Sequence, residues 1–316
     1  MRSIQNKLFR NGRQKRRLSR DVSDNIQYYL MMSFTLILAF IFCYLPLFGL
    51  VIAFQNYGAG KPFLGPGVEW VGLKWFKQFV SSFYFTRIIR NTIRLSLMSL
   101  CIGFPVPIIF SLFLNEARSD GFKKTVQTIS YMPHFLSAVI VAGIVKSFLD
   151  NDGIIIQLLG YVGIHLTAVN TSQGAFPWIY LFTSIWMGFG WSSILYLSTI
   201  AGIDPGLYEA AAIDGAGRLK CIWYITLPCM MPLITIQLIL AIGGILGADS
   251  ELILQLYNPS VYETADVLGT YMYRETLLKA DYSYGTASGL LLSMIAFGLT
   301  YIANSVCRRL TDWSMW

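Results

Sequence analysis

Covalent chemistry needs reactive side chains that converge, and this 316-residue chain spaces few of them that way. Its five cysteines, Cys43, Cys101, Cys221, Cys229 and Cys307, form no CxxC pair, and its two histidines are His134 and His165. No metal site and no disulfide framework is expected from that spacing; most of the cysteines read as small packing residues. Gly58-Ala59-Gly60-Lys61 could suggest the end of a phosphate-binding loop. No glycine stands five residues before Gly60, however, and Pro62 replaces the hydroxyl residue that would hold magnesium. Asp249 and Glu251 are a thin basis for acid–base catalysis, which needs further convergent groups. The expectation is a chain that performs no covalent step and has no nucleotide site of its own.

The composition says what such a chain is for. It is 55% hydrophobic and 13% charged, with a mean hydropathy of +0.54, where a soluble domain carries about 25% charged residues. A bilayer core takes about 20 apolar residues per helix. Six stretches qualify: 28–54, 92–114, 128–149, 178–203, 227–247 and 287–306. The expected fold class is an all-α polytopic membrane protein with six transmembrane helices. The first stretch is too long for a signal peptide and reads as a retained anchor. Pro105 and Pro107 predict a kink in the second.

Lysine and arginine set the orientation. The arm 1–27 holds Arg2, Lys7, Arg10, Arg13, Lys15, Arg16, Arg17 and Arg20, whereas residues 150–177 have neither type. Both termini are therefore expected in the cytoplasm, with a membrane domain over 28–307 and a cytoplasmic tail over 308–316. The net charge of +7 sits largely in the arm and short loops, so it reads as a topology signal and predicts no nucleic-acid partner. The arm could also meet anionic lipid. Residues 55–88 and 249–286 predict short helices at the interface, with Trp70, Trp75, Phe76, Phe79, Phe83 and Tyr84 as anchors.

Ionisable residues inside spans mark ion and proton pathways. Here Arg94 and Lys146 lie near span ends, which leaves His134 as the one candidate well inside, and a lone histidine there reads as a hydrogen-bonded packing residue rather than a relay. Such a chain draws its driving energy from elsewhere. A proton-coupled carrier and a membrane enzyme remain as alternatives with little to support them.

One inner loop, 204–228, has deliberate ends. Asp204 can cap a helix, Pro205 suits its first position, and Asp214-Gly215 offers a left-handed stop. Ala210, Ala211 and Ala212 permit close approach of another surface, and Glu209 and Asp214 offer charge to a basic partner. Glu209-Ala210-Ala211, three residues, Gly215, nine residues, Ile225, one residue and Leu227-Pro228 follow in order. This loop resembles the EAA loop of binding-protein-dependent ABC importers. The likeness extends through Tyr44-Leu45-Pro46-Leu47-Phe48-Gly49-Leu50, residues 122–134, Leu256-Tyr257-Asn258-Pro259 and Thr264-Ala265-Asp266-Val267. Together these look like the polysaccharide- or oligosaccharide-type branch of the carbohydrate-uptake class.

The resemblance implies a type I ABC importer permease fold in a bacterial cytoplasmic membrane. Glu209, Ala210, Ala211, Asp214 and Gly215 would couple to the ATPase. Leu219 and Ile222 depart from the large aromatics that sugar permeases often carry there. Implied partners are a second homologous permease in a heterodimer, two ATPase subunits and an extracellular or periplasmic solute-binding protein. ATP and magnesium would be held by the ATPases, with no cofactor in this chain. The sugar would lie near mid-membrane, against the helices before and after the loop. Helical spacing then selects Ser184, Met187, Gly188 and Trp191 on one side, with Trp191 able to stack on a pyranose. On the other side stand Ala241, Gly244, Ile245 and Ala248, followed by Asp249, Ser250, Glu251 and Gln255. The apolar character of the first four departs from a sugar site. For Asp249 and Glu251, simply ending the span in water is an equal alternative, and Trp191 reads first as core or interface packing.

Overall fold

The computed structural model describes residues 25–58, 60–62, 64–247, 249–311 and 314–315. Most of the expected arm 1–27 lies outside them, as do Ala59, Ala248 and part of the expected tail 308–316. A backbone without water must satisfy its own polar groups, and the described residues do so as helices. No strand forms among them; one isolated bridge joins Gln55 and Trp70. The helices are α1 (Asn25–Phe54), α2 (Lys74–Val80), α3 (Phe85–Glu116), α4 (Asp120–Phe135), α5 (Ala138–Phe148), α6 (Ile154–Tyr161), α7 (Phe176–Ala201), α8 (Pro205–Ile213), α9 (Arg218–Gly243), α10 (Ser250–Leu256), α11 (Tyr262–Ala265), α12 (Leu268–Met272) and α13 (Tyr282–Thr311).

Four of these, α1, α3, α9 and α13, are long and apolar enough to cross a membrane, and α4 with α5 passes the same test as a bent pair. Helix α7 has 26 residues, about 39 Å at 1.5 Å each. It is less apolar only because tryptophans, tyrosines and serines recur along it. The expected third span, 128–149, is not straight. It turns by 103° between α4 and α5. Pro133 begins a tight 3-10 turn, Leu136 is extended, and the Ser137 hydroxyl accepts from the Ile140 amide to start α5 afresh. The expected fifth span begins nine residues early, at Arg218, and α13 runs to Thr311 through the start of the expected tail.

Proline shapes the long helices in a repeated way. Phe40–Tyr44, Ser99–Gly103 and Ile222–Thr226 are wide π turns, and each ends two residues before a proline: Pro46, Pro105 and Pro228. The residue just before each proline closes the turn, Leu45 donating to Phe40, Phe104 to Ser99 and Leu227 to Ile222. Proline cannot donate, and its ring crowds the preceding turn. Widening that turn keeps the helix continuous past the ring, as insertions of this kind do elsewhere.

Helix α7 packs against α3, α4 and α9. It meets α4 backbone to backbone, because a Cβ at Gly190 would collide with the Ser130 carbonyl. Small residues permit such crossings where lipid gives no hydrophobic drive. On α2, Trp75 and Phe79 are buried rather than interfacial. Phe79 packs among Ile88, Tyr271 and Tyr284, and the Trp75 indole donates to the Gln55 carbonyl at 2.8 Å. Phe76 packs against the same cluster, while Trp70, Phe83 and Tyr84 are exposed.

The segment after α9 is tied to α3 by one carboxylate. Asp266, fully buried, accepts both guanidinium arms of Arg274 at 2.9 and 2.7 Å, Arg87 at 3.2 Å and the Thr270 hydroxyl at 2.8 Å. Asn91 donates to the backbone carbonyls of Glu263 and Asp266. Burial pulls the Arg274 guanidinium down, and the bonds and charge of Asp266 more than offset this, holding it above its usual range.

Candidate functional site

The loop 204–228 is built as its sequence implies. The Asp204 carboxylate accepts the Gly206 amide at 2.9 Å and caps α8, with Pro205 first in the helix. At the far end Gly215 takes φ +74°. The Ala216 amide then reaches the Ala211 carbonyl and the Gly215 amide that of Ala212. That pair of bonds stops a helix through a left-handed residue, a conformation that favours glycine. Glu209, Ala210, Asp214 and Gly215 are exposed and Ala211 half-buried. Neither Glu209 nor Asp214 forms an ion pair among the described residues. Ile213 beside them is 87% exposed.

Two contacts that the sequence reading missed fasten this loop. The Tyr208 hydroxyl bonds the buried Thr226 hydroxyl at 2.9 Å, tying α8 to the π turn of α9. Arg218 lies 3.9 Å from Glu116 at the end of α3. Neither pair carries a local sequence signal.

The other candidate is a cavity of about 720 Å³ between α3, α7 and α9. Its lining on α7 runs from Tyr180 to Tyr196, roughly 24 Å of helix. Ser184, Gly188, Trp191, Gly244 and Asp249 all line it, as do Ala241 and Ile245. The structure thus brings together seven of the twelve residues named for the two sides of the ligand. Met187 turns away and packs on the cluster around Leu95, Ala142 and Phe176. Glu251 stands exposed in the first turn of α10 and is not part of the wall. Ala248 lies outside the described residues.

The wall is more polar than those seven residues suggested, for Ser96, Ser99, Ser192 and Gln237 also face it. Ser96, Ser99 and Gly103 recur at helical spacing on α3, a stripe the sequence does display. Asp249 ends the wall where α7 begins. Its amide donates to the Tyr180 hydroxyl at 3.3 Å, and its carboxylate accepts the Leu252 amide at 3.2 Å, capping α10. Trp191 stacks one face on His134, ring centres 4.7 Å apart and planes 8° from parallel, while Phe135 meets it edge-on. His134 therefore packs beneath a cavity residue, at the bend of the α4–α5 pair.

The sequence profile of the binding-protein-dependent transport system inner membrane component matches residues 103–311, from the π turn of α3 to the end of α13. The chain belongs to that family. It is the membrane permease subunit of an ABC importer rather than the ATPase, and a multi-pass membrane protein. The permease is 39% identical over 304 residues to the polygalacturonan/rhamnogalacturonan transport system permease protein YteP of Bacillus subtilis (strain 168), covering 96% of this chain and 94% of that one. Among solved structures it is similar to a chain of a bacterial ABC transporter involved in the import of the acidic polysaccharide alginate. That likeness has a TM-score of 0.83 at 41% identity, over 93% of this chain and 99% of the other. A second structure, of a bacterial alginate ABC transporter in complex with an alginate pentasaccharide-bound periplasmic protein, gives 0.84 at 40% identity, over 94% and 99%.

Proposed function

We propose that the permease moves an oligosaccharide into the cytoplasm through the cavity between α3, α7 and α9, driven by separate ATPase subunits that grip α8. The observation that carries this reading is a capped, outward-facing α8 fastened by Tyr208 to α9, a helix that itself lines the cavity. A push on α8 has a short mechanical route to the cavity wall. Glu209, Ala210, Ala211, Asp214 and Gly215 form the gripped surface. Ser184, Gly188, Trp191, Gly244 and Asp249 contribute to sugar binding: a hydroxyl, a carboxylate and an aromatic face suit a polyol. The relatives' names, with their pectic and alginate saccharides, support a carbohydrate of several units.

In this reading four long helices, the bent pair taken as one span and α7 make six spans, with both termini cytoplasmic in a bacterial cytoplasmic membrane. A second permease completes the cavity, two ATPases hold ATP and magnesium, and a binding protein delivers the sugar from outside. Purification of the permease from its native membrane, with an ATPase assay on what accompanies it, tests the proposal. Recovery of an ATPase and a second permease, with hydrolysis stimulated by saccharide and binding protein, is expected. A chain that purifies alone and moves solute in proteoliposomes without ATP would refute it.

A further inference from the structure

The wide turn at Ser99–Gly103 lies on the cavity, for Ser96, Ser99, Leu100, Gly103, Phe104 and Pro107 all line it. Two of its carbonyls are left short of donors. In an α-helix the Leu100 carbonyl would accept the Phe104 amide, but that amide goes to Ser99 at 2.9 Å. The next residue, Pro105, has no N–H to offer. Gly103 loses its donor directly, because the fourth residue on is Pro107. Carbonyls freed inside a membrane span need another donor, and beside a cavity a ligand can supply it.

The side chains around this turn add hydroxyls. Ser99 Oγ stands 3.5 Å from the point where a side chain on Gly103 would begin. One turn earlier, the Ser96 hydroxyl is buried without a hydrogen-bond partner, on a residue that is 8% exposed. A buried hydroxyl left unsatisfied is costly, and no bond holds this one in its rotamer. Two acceptors and two hydroxyls, none of them charged, suit neighbouring hydroxyls on a sugar ring, which donate to carbonyls and exchange bonds with serines. We infer that the π turn of α3 is a sugar subsite. In it the Leu100 and Gly103 carbonyls and the Ser96 and Ser99 hydroxyls hold ring hydroxyls, which neutral and uronate units both carry. Pro105 is then a positioning residue that touches no sugar and keeps the Leu100 carbonyl free. The inference rests on the oligosaccharide reading of the cavity and deepens it.

Leu100→Cys is the reporter, because Leu100 contributes only its main chain to the subsite. The complete complex, with the five native cysteines replaced, would be treated with a small thiol reagent at increasing saccharide concentration. The probes are an oligogalacturonide and a neutral hexose oligosaccharide of equal length. At least one should slow labelling, whereas polyethylene glycol of similar size, rich in ether acceptors but poor in donors, should not. Pro105→Ala supplies an amide that can reach the Leu100 carbonyl, at a position outside the cavity wall. The half-protecting saccharide concentration should then rise about five-fold, the worth of one hydrogen bond. Ser99→Ala should raise it by a similar factor, and keeps the test open should Pro105→Ala fail to assemble. Ser184→Cys on α7 reads occupancy of the cavity independently. Protection of Ser184→Cys without protection of Leu100→Cys would overturn the subsite and leave the cavity reading standing. So would equal protection by polyethylene glycol, or an unchanged half-protecting concentration in both variants. Protection at neither position, in a complex whose ATPase no saccharide stimulates, would overturn the carbohydrate reading, and the subsite with it.

Discussion

Asp266 ties α3 to the segment after α9 through a buried carboxylate. Three donor side chains converge on its buried carboxylate, two of them arginines on different elements. Removing one partner of a buried pair leaves the other charge without compensation, at a cost of about 3–5 kcal/mol. Asp266→Ala should therefore lower the melting temperature of the purified permease sharply. Glu263→Ala should barely move it, since Glu263 is 52% exposed in its pairs with Arg87 and Arg90, and such pairs contribute under about 1 kcal/mol. Equal shifts in the two variants would show that Asp266 is not the tie between α3 and the segment after α9. None of this was legible in the sequence, where Asp266 is one residue of a short matched run and Arg87 lies 179 positions away. Trp75 and Phe79 were misread for a related reason. An aromatic near a span end suits the interface and a core equally well, and only the neighbours supplied by α12 and α13 decide between them.

At the scale of the element, loop 204–228 was readable because a helix writes its ends locally. Asp204, Pro205 and Gly215 act on amides and carbonyls within a few residues of themselves. The bend between α4 and α5 was harder to see. Pro133 signals an interruption, but nothing local distinguishes a 103° turn from a kink. The wide turn at Ile222–Thr226 matters for function as well as for accommodating Pro228, because it carries Thr226, the anchor of Tyr208. A bond of this kind is worth roughly 1 kcal/mol net, about five-fold in an equilibrium. Tyr208→Phe and Thr226→Val should each reduce solute moved per ATP hydrolysed by about that factor, without releasing the ATPase. Thr226→Ser, which keeps the hydroxyl, should restore the wild-type ratio. The double variant should be no worse than either single one, as expected for two partners in one bond. Additive losses would show that the two hydroxyls act separately.

For the whole molecule, α7 decides on which side of the membrane each loop lies. If α7 crosses, the segment before it and loop 204–228 after it face opposite compartments. If it does not, they share one. The charge pattern favours crossing, since residues 150–177 lack lysine and arginine while the later loop carries Arg218 and Lys220. So does length, because 26 helical residues exceed the roughly 20 that a bilayer core requires. Val162 and Ile213 are both strongly exposed and flank the helix, which makes them suitable reporters. In a cysteine-free background, with Cys43, Cys101, Cys221, Cys229 and Cys307 replaced, Val162→Cys and Ile213→Cys should react with an impermeant thiol reagent from opposite sides. In intact cells or spheroplasts only the first should be labelled; in inverted vesicles only the second. Labelling of both from one side would remove α7 from the spans. It would also break the mechanical argument, because the cavity that α7 lines would no longer run across the bilayer toward the face that α8 presents.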